Sequence, residues 1–509
     1  MTPLSNHASP SASPAKWHCT KGKLLLAVAP AILLVFLFVY PFHGSPKADL
    51  RQQTFARLDK IRQAKKQEII HHFTEARSTA LAIKDDPVMR GCFNALRKDN
   101  GDRDAEYEAD KRYAATYGDF YDILFVDADG QVFHSIKKEE DYHTNLLRGA
   151  TANPELAKAL ARPGEKEFVP FQDYSPSAEA AAFFAVSLQS EGRHLGWFVL
   201  QFSANRINGI LTNRAAMGRT GEVYLVNQER LMLTDSRFME DSTILRQRVD
   251  TRAVKEALRQ KHGADIITDY RGVPVFSSYE QFQLFGASWI IIAEIDEDEV
   301  LTEHYKNHRQ YFRKVLVRDL ATVAPRPAPP PSGEQPVTKR VEMNEFARGE
   351  AGRLLFTEGV ATCTAAVISY PGRFSYLAHI SPTDEIYLDN PATRIFLGNR
   401  YHNFLGELLD RIEYFEVTPF ERRSLRVALI APHTDSFAKA VDALLARDIE
   451  LGNITFLYHP KALSADVVVD ATGETLLINW HEEGRTVTEN GLAAPPLGMR
   501  IKKIIGYEA

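Results

Sequence analysis

Three side chains in the C-terminal part of the sequence have the types and spacing of a cysteine nucleophile and its base. Thr357 and Cys363 lie in the segment "TEGVATC", and His379 ends the segment "LAH". A free thiol with a pKa of about 8.5 is mostly protonated at neutral pH, and an adjacent imidazole can take its proton to create the thiolate. A hydroxyl such as that of Thr357 can orient the imidazole or the bond to be cleaved. This trio suits attack on an amide carbonyl, passage through a thioester and hydrolysis.

The register of one hairpin decides whether the thiol and the imidazole meet. The segment 361–381 predicts two strands around the turn pair Pro371-Gly372. With a three-residue loop from Tyr370 to Gly372, Cys363 lies across from His379, with Cβ atoms about 5 Å apart. With a two-residue loop the two side chains point to opposite faces. The sequence leaves both registers open, and an ordinary buried cysteine is the alternative to a nucleophile.

The segments that follow predict the rest of an alternating domain. The pattern indicates an amphipathic helix over 394–415 and a strand in "SLRVALIAP". A helix in "DSFAKAVDALLARDI" begins at an Asp435/Ser436 cap, and "ADVVVDATGETLLINW" is typical of a hairpin with Gly473 in its turn.

These segments resemble a known family of enzymes. "TEGVATCTAAV" followed by "LAHISP" is similar to the active-site segment of the CheD family, the chemoreceptor glutamine deamidases. Over residues 341–485 the resemblance implies an α/β CheD-like domain with Thr357, Cys363 and His379 as catalytic residues. The sequence departs from the family in its glycines: only Gly359 remains before the cysteine, and "APHTDSF" and "ALSAD" replace two glycine-containing segments. Two hypotheses therefore stay open, a protein-glutamine deamidase (a Cys-His hydrolase acting on an amide) and a non-enzymatic domain that only docks a signalling partner.

The N-terminal half has the signals of two similar α+β modules behind a long helix. A helical pattern runs from about residue 48 to 96, and hairpin signals follow at Asp129-Gly130 and Glu191-Gly192. A second block over 217–296 again alternates short strands with glycine turns after a helical lead-in.

The second resemblance covers this half. "FQDYSPS", "GWFVLQFSANRIN", "GRTGEVYLVNQERLMLTDSRF" and "DYRGVPVFSSY…WIIIAEID" together resemble the double Cache sensor domains of bacterial chemoreceptors and sensor kinases. The resemblance implies tandem PAS-like modules over 45–305, with a distal ligand-binding module at about 75–212 and a proximal one at about 215–300. Tyr121, Asp173, Tyr174 and Phe183 are the candidate ligand-binding residues by position, although an aromatic near a strand is more often part of a core. The aromatic–arginine motif of the amine-binding version is not found, so the small-molecule ligand stays open.

An uncharged N-terminal run predicts a membrane anchor. Residues 24–42, "LLLAVAPAILLVFLFVYPF", contain no charge and follow a basic tail over 1–23. Their length suits one transmembrane helix, and the flanking residues fit a cleaved signal peptide poorly. This predicts a single-pass protein of the bacterial inner membrane with all later domains on one side. The Cache resemblance favours the extracytoplasmic side, while the basic residues after the span favour the cytoplasm. We expect the extracytoplasmic side.

Composition narrows the remaining functional classes. The fold class we expect is α+β, with a proline-rich linker over 321–337 between the Cache modules and the CheD-like domain. A net charge of −5 gives no electrostatic reason to expect a nucleic-acid partner. Three cysteines exclude a disulfide framework and leave one possible bridge, between Cys92 and Cys363. The histidines lack metal-ligand spacing, and no P-loop or dinucleotide fingerprint occurs, so we expect no metal and no cofactor. A small molecule, the membrane, a chemoreceptor or other signalling protein and a second copy of the chain are the candidate partners.

Overall fold

A long helix, α1 (Leu50–Ala82), begins the part of the chain that the structure describes. The computed structural model describes residues 50–148, 153–164, 167–212, 216–327, 338–382, 385–388, 395–419 and 421–506. The predicted basic tail and the predicted transmembrane helix, 1–42, lie outside these ranges. Within them, no helix combines the length and the apolar character needed to span a bilayer.

Helix α1 is shorter than the sequence predicts. Its buried residues, among them Leu58, Ile69 and Phe73, recur at the three- and four-residue spacings of one helix face. The predicted continuous helix to about residue 96 is wrong, because Asp86 is extended and α2 (Pro87–Lys98) begins after it. Proline disfavours a helical residue before it, and the Asp86 carboxylate caps α2 by accepting hydrogen bonds from its first free N–H groups.

The first module is built on a five-stranded antiparallel sheet in the order β2-β1-β5-β4-β3. The strands and helices of this module are α3 (Arg103–Arg112), β1 (Asp122–Asp127), β2 (Val132–Ser135), α4 (Pro154–Leu160), β3 (Phe168–Tyr174), β4 (Glu179–Ser190), β5 (Arg193–Ser203) and α5 (Asn205–Leu211). Both predicted hairpins are present. Glu191 and Gly192 have positive φ angles of 51° and 75°, which suit a tight turn between twisted strands.

The second module repeats the plan with a four-stranded antiparallel sheet in the order β6-β9-β8-β7. Its elements are β6 (Glu222–Val226), α6 (Arg252–Gln260), β7 (His262–Thr268), β8 (Pro274–Leu284) and β9 (Ala287–Asp296). One face of α1 packs against this sheet, where its Phe55 ring lies 5.2 Å from that of Phe276. The mixed α+β class and the paired modules that the sequence predicts are therefore observed.

The C-terminal part contains two five-stranded sheets. The first has the order β10-β12-β19-β20-β21 and the second β11-β14-β13-β17-β18. Their strands are β10 (Thr338–Arg340), β11 (Phe346–Arg348), β12 (Leu354–Val360), β13 (Thr364–Tyr370), β14 (Phe374–Ile380), β17 (Arg426–Ala431), β18 (Ile454–Tyr458), β19 (Ser464–Val469), β20 (Leu476–Glu482) and β21 (Arg485–Asn490). A separate pair, β15 (Glu385–Leu388) and β16 (Ile395–Asn399), precedes the helix α9 (Arg400–Phe415).

The second sheet is covered on both faces. Residues of β13 with odd numbers, such as Ala365 and Val367, share a buried cluster with Val467 and Ile478 of the first sheet. Even-numbered Ala366 and Ile368 pack instead with α9 and with α10 (Phe437–Leu445). The order of layers is therefore sheet, sheet, helices, and odd-numbered side chains of β13 face the first sheet.

Two helices that follow the second module pack against the C-terminal part. Helices α7 (Glu297–Asn307) and α8 (Arg309–Ala321) follow the last strand of the second module directly. Phe312 and Leu316 of α8 are fully buried in one apolar cluster with Leu497 and Ile501 of α11 (Leu497–Ile505). Arg500 of α11 also bonds Asp319 of α8 at 2.6 Å. Most of the predicted linker, 328–337, lies outside the described residues, and the described part of it runs beside β21 through a Pro327–Glu489 bridge.

Candidate functional site

The three sequence-predicted catalytic residues lie on three neighbouring segments of the C-terminal sheets. Thr357 is on β12 of the first sheet, His379 is on β14 of the second, and Cys363 is in the short connection between β12 and β13. All three are buried, with exposed fractions of 0%, 5% and 7% for Thr357, His379 and Cys363. The cluster therefore lies between the two sheets, on strands that are internal to each of them.

The hairpin β13–β14 has a register that differs from both sequence alternatives. Tyr370 pairs with Phe374, so the loop has three residues, 371–373, one position later than the predicted Tyr370–Gly372 loop. As a result Ala365 lies opposite His379. Cys363, two residues earlier, belongs to the same face but is a diagonal neighbour of His379, a relation that places Cβ atoms about 7–8 Å apart in a regular ladder.

A hydrogen-bonded chain fixes the orientation of the imidazole. The Thr357 hydroxyl donates to the Val341 carbonyl at 2.8 Å, and its oxygen lies 2.8 Å from His379 Nδ1. A carbonyl oxygen only accepts, so the single hydroxyl proton is used there, and Thr357 Oγ1 accepts from Nδ1–H. The neutral imidazole then carries its lone pair on Nε2. That nitrogen is buried and has no hydrogen-bond partner within the described residues.

Burial shifts the pKa of both Cys363 and His379. It lowers the pKa of His379, with the Glu342 carboxylate opposing the shift, so the imidazole is neutral at physiological pH. Burial raises the pKa of the Cys363 thiol, with a hydrogen bond from Thr362 opposing, so the thiol is protonated at rest. Its sulfur contacts Met343 Sδ at 3.8 Å. The described part of the chain shows no hydrogen bond between Cys363 and His379, and Cys92 and Cys363 are both free thiols.

A histidine that the sequence analysis treated as ordinary lies beside the cysteine. His433 follows β17 in the "APHTDSF" segment, and its Nε2 lies 2.7 Å from the Thr362 carbonyl oxygen. Since a carbonyl accepts, Nε2 carries the proton and holds the peptide that leads into Cys363. Gly359, the retained family glycine, has φ of +66° at a bulge in β12 and donates its N–H to Asp466. The only sequence signal for His433 was its position in "APHTDSF", where the sequence departs from the CheD family that it resembles.

A second polar site lies in the N-terminal half, at a cleft of about 470 Å³ between its two modules. The lining includes Asp173, Tyr174 and Glu179 from the first module and Asp235 and Arg246 from the second. Burial raises the pKa of the Glu179 carboxyl, and its Oε1 has no hydrogen-bond partner in the described ranges. Its other oxygen accepts from Ser203 and Asn205.

Behind this cleft lies a buried carboxylate that the sequence analysis missed. The Tyr174 hydroxyl donates to Asp141 Oδ2 at 2.6 Å, and Asp141 is fully buried with its Oδ1 unpartnered among the residues described. Burial raises the pKa of Asp141. Burial likewise raises the pKa of the neighbouring Asp122 to about 6. Asp141 ends the run "KKEED", and nothing in this local pattern distinguishes it from the two acids that precede it.

The sequence model of the Cache domain family matches residues 48–303, just over half of the 509-residue chain. The chain belongs to the Cache domain family. This confirms the predicted Cache resemblance and means that the chain carries a Cache ligand-sensing domain. The CheD resemblance and the exact bounds of the two Cache modules stay predictions.

Solved structures that are similar to this Cache protein match about half of it. An extracellular ligand-binding receptor from Desulfohalobium retbaense covers 48% of this chain at 11% identity and a TM-score of 0.35, and the match spans only 40% of that receptor. The ligand-binding domain of the Pseudomonas fluorescens chemoreceptor CtaA, in complex with L-alanine, covers 49% at 12% identity and a TM-score of 0.34, over 98% of its own chain. The periplasmic sensory domain of the Campylobacter jejuni chemoreceptor Tlp1 covers 50% at 11% identity and 0.37, also over 98%. A comparison with curated proteins gave no significant match.

Within the Cache region the structure separates the four predicted ligand residues. Asp173 and Tyr174 line the cleft between the modules. Tyr121 lies apart from that lining and bonds Glu139 at 2.6 Å. Phe183 is fully buried with its ring 4.8 Å from that of Tyr174. The structure therefore brings Asp173 and Tyr174 together at one cleft, and places Phe183 behind it in the core.

Proposed function

We propose that this protein couples a Cache ligand sensor to a cysteine amidase of the CheD type, which hydrolyses the side-chain amide of glutamine in a partner protein. The supporting observation is the orientation of His379. Thr357 holds its Nδ1, and this leaves a buried, unpartnered Nε2 lone pair on the strand face that Cys363 shares.

The proposed reaction uses only these side chains and water. His379 Nε2 takes the thiol proton of Cys363, and the thiolate attacks the amide carbonyl carbon. The C–N bond then breaks, the imidazolium gives its proton to the leaving nitrogen, and ammonia departs from a thioester. Water attacks the thioester with His379 again accepting a proton, which releases the carboxylic acid and restores the thiol. Thr357 keeps the imidazole in the productive tautomer throughout.

A direct assay tests the amidase. The full chain is incubated with a library of peptides that each contain one glutamine, and conversion to glutamate is followed by mass spectrometry together with release of ammonia. We expect conversion by the wild type, loss with Cys363→Ala and His379→Ala, and full activity in Cys92→Ala, the matched buried cysteine. Conversion that survives Cys363→Ala would rule the mechanism out.

The alternative function is a non-enzymatic domain that docks a chemoreceptor or another signalling protein. Its specific support is the raised pKa of Cys363 and the contact of its sulfur with Met343 instead of His379. Measurements of partner binding and of glutamine conversion distinguish the two functions. A docking domain still binds its partner in Cys363→Ala, and even the wild type converts no glutamine to glutamate.

The charge of the cleft supports a cationic amine as the sensor's ligand. Asp173, Glu179 and Asp235 contribute three carboxylates against the single guanidinium of Arg246. Glu179 presents a buried, unpartnered oxygen, which an ammonium group can satisfy. Small primary amines should raise the melting temperature, while the matching alcohols should not. Glu179→Gln should lose the shift, and the exposed Glu483→Gln should keep it; an equal response to alcohols would exclude the amine.

We further propose that a single N-terminal helix over 24–42 anchors the protein in the inner membrane, with both domains outside the cytoplasm. The support is the uncharged run in the sequence together with the Cache family match. A membrane-impermeant maleimide applied to intact cells should label a variant that keeps Cys363 as its only cysteine. A lysed sample in mild denaturant, which exposes the buried thiol, serves as the positive control. Labelling of lysed cells without denaturant, together with no labelling of intact cells, would place the thiol in the cytoplasm.

A further inference from the structure

A second cavity lies in the C-terminal domain, away from the cysteine. Its volume is about 330 Å³, and it lies between the two five-stranded sheets. One wall comes from β13, β17 and β18, and the other from β19, β20 and the segment around Leu492. Val367 and Ser369 of this wall lie four and six positions after Cys363, which is about 13 Å and about 20 Å at 3.3 Å per residue. The cavity is therefore distinct from the proposed catalytic cluster.

The register of the strands sorts the wall into a polar row and an apolar row. Ser369 pairs with Arg426 across β13 and β17, at the end of the sheet. Val367 pairs with Ala428 one step further in, and Ala428 pairs with Thr455 of β18. These side chains share one face, so a cationic head group stands at the mouth of an apolar space.

The opposite wall is apolar. Its accessible side chains are Leu492, Ala494 and Pro496, and the almost fully buried Val469 and Leu476 lie behind them. Gly473 in the β19–β20 turn lies so close to β13 that a Cβ there would come within 2.5 Å of the Ser369 Cβ. This glycine lets the turn close the cavity over the polar row.

Arg426 differs from its neighbours in having no carboxylate partner. Nearby Arg373 is paired with Glu421, and Arg422 with Glu413 at 3.0 Å. Arg426 is exposed and forms no ion pair or hydrogen bond with any described residue, and the Ser369 hydroxyl beside it is likewise unbonded within the described ranges. A guanidinium and a hydroxyl on paired residues that line one cavity can bind the two oxygens of a carboxylate.

We propose that this cavity binds a small organic acid, with its carboxylate on Arg426 and Ser369 and its apolar body against Leu492, Ala494 and Pro496. A single guanidinium at the mouth and a largely hydrocarbon interior select a monocarboxylate with an acyl or aromatic body. The size of the cavity lies at the lower end for small-molecule sites.

The cavity also borders the attachment of the sensor. Gly452 and Asn453 form part of its rim. The N–H of the preceding Leu451 donates to Thr302 of α7 at 3.2 Å, and Gly452 lies against Asp298 of the same helix. A bound acid therefore contacts the segment by which the Cache half holds the C-terminal domain.

Isothermal titration of the full chain with hexanoate and with hexanol tests this site. We expect saturable binding of hexanoate, and an affinity at least tenfold lower for hexanol because it cannot form the charged pair. Arg426→Gln should weaken hexanoate binding about ten- to a hundredfold, and Arg426→Lys should weaken it less. The matched control is Arg193→Gln, which removes an equally exposed arginine from the tip of the β4–β5 turn.

Three results would overturn the proposal: no saturable binding of hexanoate or benzoate, equal binding of hexanol, or unchanged affinity in Arg426→Gln with a wild-type circular dichroism spectrum. If hexanoate bound in the Cache cleft instead, Arg426→Gln would leave its affinity unchanged, which is the third of these results. None of these variants alters Cys363 or His379, so the outcome is independent of the proposed amidase.

Discussion

At the scale of single residues, the most informative contact is the one between Thr357 and His379. It shows that a residue in one sheet sets the tautomer of a histidine in the other, through a hydroxyl whose proton is already used by Val341. The proposed catalytic geometry therefore depends on the two sheets being correctly stacked, and not on the β13–β14 hairpin alone.

Thr357→Val should destabilise the protein by about 1–3 kcal/mol. The valine keeps the volume but leaves the Val341 carbonyl and His379 Nδ1 buried without partners. Urea unfolding measures the change in the free energy of unfolding. Thr357→Ser retains the hydroxyl and should keep most of the stability. Equal stability of the valine variant and the wild type would show that the hydrogen bonds from Val341 through Thr357 to His379 contribute little free energy.

At the scale of the element, local signals predicted turns well and junctions poorly. Asp129-Gly130 and Glu191-Gly192 act within four residues, so the hairpins they specify were recognisable in the sequence. The break at Asp86-Pro87 was equally local and was overlooked because the apolar periodicity continues through it. The β13–β14 loop lies one position later than predicted, which shifts the strand pairing by two residues, because several loops of similar length satisfy the same turn chemistry. Asp141 and His433 were missed because their partners lie more than thirty residues away.

The cap of α2 is the element whose loss we expect to be most costly. Asp86 accepts from two N–H groups of the helix, from Arg112 Nε at 2.7 Å and from the Tyr117 hydroxyl at 2.9 Å. Asp86→Ala should lower the free energy of unfolding by at least about 2 kcal/mol. Asp85→Ala, which removes the exposed acid next to it, should change it by less than about 0.5 kcal/mol. Thermal or urea unfolding of both variants compares them directly, and similar losses would mean that the cap contributes little.

At the scale of the whole molecule, the Cache half and the C-terminal half meet through charged and buried side chains. Arg219 of the Cache half pairs with Glu450, and Lys502 of α11 pairs with Glu297 of α7. Arg423 lies 3.5 Å from Asp296. The sequence could not predict this junction because its partners are separated by more than a hundred residues and follow no local pattern.

Titration of Glu450 should make stability depend on pH. Burial raises its pKa from 4.5 to about 7, with Arg219 opposing the shift and Asp298 and Asp296 adding to it. The folded protein then holds the proton at pH values where the unfolded chain has lost it. The free energy of unfolding should therefore fall as pH rises from about 4.5 to 7.

Glu450→Gln should flatten this decline, since glutamine stays neutral throughout. Melting temperatures measured between pH 4.5 and 8 test it, with the exposed Glu483→Gln as the control that keeps the wild-type slope. If the Arg219 ion pair instead dominated, the wild type would gain stability over this range and Glu450→Gln would remove the gain.

A methyl group at the junction should also be costly. A Cβ at position 452 would lie 1.9 Å from Asp298 Oδ2, so Gly452→Ala must displace α7 or the carboxylate. We expect a loss of about 1–3 kcal/mol in calorimetry. Gly209→Ala in α5, where no atom lies within 4 Å, should instead be neutral or stabilising. An equal change in stability for the two variants would mean that α7 can move to accommodate the methyl group at little cost.

The packing of α8 has a consequence for expressing the C-terminal domain alone. Phe312, Leu316 and Leu320 of α8 are buried against α11 and its neighbours, although all three precede the proline-rich segment. A fragment that begins at residue 338 would leave this apolar surface open to water. Such a fragment should self-associate or precipitate, whereas one that begins at Arg309 should stay monodisperse, so solubility follows the helix and not the proline-rich boundary that the sequence suggests.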